Sequence, residues 1–162
     1  MSETKERRIR PRIGDVVRIT SRDGAAFAQY THKSEEFGAL VRVLGPAPTI
    51  SKRVDDPVAI AAGPTQFVTF FPLGAACHRG IAQVLGSAPI PKEFHEFPRF
   101  RQALRLDPRS TAPCNWMIWD GREEWVIPRL NEEQRRYPIR SIVNDTLLVE
   151  RALSGWTSDL DT

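Results

Sequence analysis

Thirteen prolines and ten glycines punctuate the 162 residues, and their placement constrains the fold more than any other feature. A proline removes a backbone donor and fixes φ, so it ends a strand or helix rather than continuing one. Pro46 and Pro48 close the run GALVRVL, and Pro72 stops QFVTFF. Pro89, Pro91, Pro98, Pro108 and Pro113 make a long continuous helix over 86–113 untenable. An extended wrap is expected there, with a short helix near 98–106 begun by proline at its first position.

Between these stops the chain reads as short strands. Residues 14–20 (GDVVRIT) are β-branched and end in SRDG, where Asp23-Gly24 supplies a tight turn and 26–30 the return strand. A third strand is expected over 38–44, a fourth over 66–71 and a fifth over 81–85. One helical turn fits after Asp55-Asp56-Pro57. The strongest hairpin signal is NWMIWDGREEWVI at 115–127, two aromatic-rich runs flanking Asp120-Gly121. Asn131-Glu132-Glu133-Gln134 resembles a capping box and predicts a helix of about two turns ended by Pro138. Runs 139–143 and 146–151 read as a last strand pair across Asn144-Asp145.

About eight short strands with one or two short helices predict an all-β or β-dominated α+β fold, a small antiparallel bent sheet or partly open barrel. A single domain over 13–156 is expected, between a basic tail at 1–12 and a C-terminal tail at 157–162. The hydrophobic fraction of 41% suits one globular domain. No window approaches the roughly 18 consecutive apolar residues of a membrane helix, and the charged opening lacks the apolar stretch of a signal peptide. A soluble cytoplasmic protein without a membrane partner is expected. The formal net charge of +3 is carried by the tail through Lys5, Arg7, Arg8, Arg10 and Arg12. The remainder is neutral, and its arginines at 99, 101, 105 and 109 read first as a solvated surface.

Reactive chemistry finds little support. Cys77, Cys114, His32, His78 and His95 include no CxxC or HxxxH spacing for zinc, and on a strand Cys77 and His78 would point to opposite faces. No metal or cofactor is expected. A thiol nucleophile, Cys114 with His95 or Cys77 with a histidine, would need proximity that no motif indicates. No GxSxG, Walker-type or dinucleotide glycine pattern occurs. Asp15, Asp120 and Asp145 all have turn roles, and Glu123 and Glu124 face apart on a strand. No catalytic residues are assigned, and a non-enzymatic protein is expected.

The constellation with functional weight is aromatic and basic: Phe94, Phe97, Arg99, Phe100 and Arg101 in FHEFPRFR, with Trp119 of the tryptophan hairpin as their floor. Aromatics and arginine are enriched where proteins bind proteins. The same types stack on single-stranded nucleic acid, with the arginine-rich tail for phosphates as the alternative reading. The competing reading is that the rings cover an open core.

The opening GDVVRITSRDGAAFAQY and GALVRVL resemble the start of the Imm26-like immunity proteins of bacterial polymorphic-toxin systems, through Gly14-Asp15-Val16, Phe27 to Tyr30 and Gly38 to Leu44. PLGAACHRG and NDTLLVE…GW look like features of uncharacterised bacterial relatives. The resemblance implies a non-enzymatic cytoplasmic protein that binds and neutralises a cognate toxin.

Overall fold

The computed structural model describes residues 10–45, 56–104, 109 and 115–160. Tail residues 1–9, the segment 46–55, Arg105 and Cys114 lie outside the described residues. Strands β1 (Asp15–Ser21), β2 (Gly24–Ser34), β3 (Gly38–Leu44), β4 (Thr65–Phe70) and β5 (Ala82–Ser87) form one sheet. Its order is β4-β3-β2-β1-β5, every neighbouring pair antiparallel. Strands β6 (Phe100–Leu104), β7 (Asn115–Trp119) and β8 (Glu124–Ile127) form a second antiparallel sheet in that order. The β-dominated antiparallel class is as expected, and neither sheet closes into a barrel. Register shifts at Val16/Val17, Tyr30/His32 and Val43/Leu44 mark bulges, which bend a sheet and raise its twist.

Both faces of the five-stranded sheet are covered, which accounts for its unbroken apolar runs. Because side chains alternate, Val17, Ile19, Ala28, Tyr30, Val41, Val43 and Phe67 share one face. There they meet Leu73 and Ala76 of α2 (Leu73–His78) and Leu148, Val149 and Ala152 of α3 (Asp145–Ser154). Each large side chain so buried contributes roughly 1.5–3 kcal/mol. On the opposite face Val16, Phe27 and Leu44 meet Ile60 and Ala61 of α1 (Pro57–Ala61). Further along it Leu40 and Phe70 meet Phe100 and Trp119 of the small sheet. Helix α1 is the expected turn: Asp56 caps Val58 and Ala59 N–H groups, with Pro57 in the first turn.

Three expectations are corrected. The run 146–151 is part of α3, not a strand. Asn144 accepts from the Leu147 N–H at 2.8 Å as an N-cap, and Gly155 closes the helix at φ 72°. Within the helix expected at 98–106, Phe100–Leu104 is instead β6, drawn into extended form by pairing with β7, and residues 105–106 lie outside the described residues. The capping box at Asn131 does form, with Gln134 N–H donating to Asn131 Oδ1 at 2.8 Å and Asn131 N–H to Gln134 Oε1 at 2.9 Å. It opens only a 3-10 turn, Gln134–Arg136, because Pro138 follows too soon for a second turn.

Residues 138–143 join the two sheets. The Arg101 N–H donates to Pro138 O at 3.0 Å and Arg140 N–H to Arg101 O at 2.9 Å, while Val143 N–H donates to Phe70 O at 3.0 Å. One extended segment therefore bridges to β6 at Ile139 and to β4 at Ile142, both in parallel sense. Residues 157–160, expected as a tail, include a 3-10 turn at Ser158–Leu160 held by a hydrogen bond from Arg101 to Ser158 O.

The β7–β8 turn is stabilised by Asp120. Its carboxylate accepts from the Glu123 and Arg122 N–H groups at 2.8 and 2.9 Å. These bonds, with the charge of Arg99 behind them, hold its pKa below the usual carboxylate value. A group whose folded pKa is depressed contributes stability above its unfolded pKa and loses it as pH falls through the folded value. Asp120→Asn should therefore lower the melting temperature near neutrality and flatten its fall on the acid side, the variant and the parent converging at low pH; a variant that keeps the full acid limb would assign the acid sensitivity elsewhere.

Candidate functional site

The aromatic and basic residues singled out in the sequence come together, but mostly inward. Phe100 and Trp119 are buried, and both rings pack within 6.0 Å of Phe70 at the end of β4. Half-buried Phe97 adds ring contacts at 5.7 Å to Phe100, 5.4 Å to Trp119 and 5.4 Å to His32. Gly121 makes room for it: a Cβ there would lie 2.7 Å from the Phe97 ring. Phe94, also half-buried, lies with its ring 5.5 Å from the Arg42 guanidinium. Arg101 is buried, donates from Nε to Tyr137 O at 3.1 Å and lies 5.2 Å from the Trp116 ring. Phe100, Arg101 and Trp119 thus belong to the interior. The strand they sit on or pair with turns them against the larger sheet and the C-terminal segment. Of the six residues, only Arg99 is exposed.

What remains outward is one edge of the small sheet. Strand β8 pairs with β7 and lies at the end of the strand order. Trp125 is 36% exposed and Val126 53%, and the Arg99 guanidinium sits 5.9 Å from the Trp125 ring. The Asp120 N–H bonds Glu123 O across the turn at 3.1 Å. Alternation along an antiparallel ladder then directs the Trp125 and Ile127 backbone groups to β7, and those of Glu124 and Val126 outward. Behind this edge Arg140 is fixed. It pairs with Glu124 at 2.9 Å, donates to Gln102 Oε1 and stacks 5.4 Å from the Trp119 ring. The sequence marks the hairpin but not its free edge, because edge position depends on strand order.

The second feature is a cavity of about 1560 Å³ between α2 and the larger sheet. Tyr30, Ala39, Phe71, Leu73, Cys77, Ala82 and Val84 line it, with Arg10, Lys33 and His78 around it. Burial pushes the Cys77 thiol pKa up, and the charge of Asp15 raises it further. A nucleophilic thiol needs the opposite shift. Cys77 and His78 occupy the last turn of α2 rather than the strand assumed from their sequence. The alternative pairing of Cys114 with His95 lies outside the described residues.

Architecture and surface together define an open, two-sheet antiparallel protein with an exposed aromatic edge strand. No family model, no curated protein and no solved structure matches the chain. Among the described residues no helix is long and apolar enough to cross a membrane.

Proposed function

We propose that the chain is a non-enzymatic binding protein whose partner is another protein, an extended segment of which adds as a fourth strand along β8. The observation that supports this reading is the outward edge itself. Among the described residues no strand pairs with β8 on the side of the Glu124 and Val126 backbone groups, which lie beside exposed Trp125 and Val126 with Arg99 against the indole. Proteins usually blunt such edges with charge, proline or cover, because an open edge templates pairing. Strand addition takes affinity from main-chain hydrogen bonds and specificity from neighbouring side chains. Tryptophan with arginine is the composition of binding hot spots. The biological role that suits this mode is immunity-type neutralisation of a cognate toxin, as the resemblance of the opening strands implies.

A photo-reactive residue at position 126 should crosslink one defined protein in extracts of the native host, while the same residue at exposed Val58 should not. The captured protein, once purified, should bind the unmodified chain, with Trp125→Ala weakening binding by about tenfold or more, the scale of a hot-spot truncation. Equal crosslinking at both positions, an unaffected Trp125→Ala variant, or nucleic acid as the crosslinked species would each overturn the reading.

A further inference from the structure

The cavity beside α2 is unconnected with the β8 edge, and its lining is chemically one-sided. Its apolar wall comes from Phe71 and Leu73, both about 1% exposed, with Ala82 and Val84. Its ionisable rim comprises Arg10, Lys33 and His78, all exposed, and no aspartate or glutamate lines it. Tyr30 reaches it from the centre of the larger sheet and is 8% exposed. The Tyr30 hydroxyl has no hydrogen-bond partner among the described residues. Because the Tyr30 side chain lines the cavity, this hydroxyl is available there to bond a polar atom of a ligand.

We propose that this cavity is a binding site for a small amphipathic anion, with an apolar body against Phe71, Leu73 and Val84, and an acidic group drawn by Arg10 and Lys33 and bonded by the Tyr30 hydroxyl. The arrangement follows the usual construction of small-molecule sites, apolar walls with a few polar groups that fix orientation. A carboxylate suits it better than an ammonium, because the rim repels a cation, and better than a neutral alcohol, which forgoes the attraction of the two side chains. Cys77, which also lines the cavity, provides a reporter within the site.

The test uses octanoate, octylammonium and octanol as probes on the full chain and follows alkylation of Cys77 by N-ethylmaleimide, read on its own peptide by mass spectrometry. Octanoate is expected to slow the reaction in a saturable way, with the two other probes much less effective. Tyr30→Phe should raise the half-saturating octanoate concentration by about tenfold or more, the scale of one hydrogen bond to a charged group. Lys33→Glu, at an exposed position, should reduce the preference for octanoate over octylammonium while leaving the melting temperature unchanged. Absence of protection by octanoate, equal protection by octylammonium, or protection unaltered in both variants would overturn the assignment.

Discussion

Replacing Gln29 by leucine should destabilise the protein by about 3–5 kcal/mol, the cost of leaving a buried charge without its partner. Gln29 and Arg42 lie side by side on β2 and β3, 0% and 1% exposed. The glutamine Oε1 accepts from Arg42 Nε at 2.8 Å, and its Nε2 donates to Ala88 O at 2.8 Å and Gly14 O at 3.2 Å. Arg42 completes its set by donating to Thr65 Oγ1 at 3.0 Å and to Ala61 O. No carboxylate pairs with it in these contacts, and burial lowers its pKa, with the nearby charge of Glu93 opposing. Leucine at 29 strands the Nε proton of a charge that water cannot reach.

Arg42→Met should cost less, about 1–3 kcal/mol, since it removes the charge and leaves only neutral acceptors unbonded. The double variant should be more stable than Gln29→Leu alone, because contacting groups are non-additive. Urea unfolding of the three variants checks the order. If Arg42→Met proves the most damaging, the guanidinium's own contacts, including that with Phe94, outweigh the cost of leaving it without Gln29.

Phe70→Ala is expected to cost about 3–5 kcal/mol, the usual range for a buried phenylalanine. It should also loosen the small sheet from the large one. Phe70 is 0% exposed, and its ring meets Phe37 at 5.2 Å, Phe100 at 5.1 Å and Trp119 at 6.0 Å. It is the point at which the two sheets share a hydrophobic cluster. A red shift of tryptophan emission in the folded variant would report Trp119 becoming wetter. An unshifted spectrum with full destabilisation would mean that the cavity collapses and the sheets stay docked.

The larger sheet was legible where local chemistry and global fold agree. The glycine-led run at β1, the Gly24 turn and the proline stop after β3 each have a local cause, and the β7–β8 hairpin follows from Asp120-Gly121. Helix α3 has no decisive local signature, because Asn144-Asp145 serves equally as a turn and as a cap. The choice fell to burial of Leu148, Val149 and Ala152 against the sheet, a long-range term. Strand β6 lacks a local signature for a related reason, since its pairing partner β7 begins only after the intervening segment. Of the site, the residue types were visible but not their sides. Phe100 and Arg101 are neighbours in an exposed-looking basic stretch, yet both are buried once β6 is sandwiched between the cluster at Phe70 and the carbonyls of Tyr137 and Ser158. Strand order and tertiary cover decide this, and neither has a local signature.

The joining segment at 138–143 has a consequence for how the molecule is made. Domains tend to organise from the N-terminus as the chain emerges during translation, and β1 to β3 are positioned to do so, being consecutive hairpins. The aromatic hairpins, by contrast, are tied to β4 through residues near the end of the chain. A nascent polypeptide that has cleared the ribosome only as far as Ile127 carries every described strand and the Phe70 cluster but lacks the backbone bridges between the sheets, so the native arrangement is completed only when residues 138–143 have also emerged.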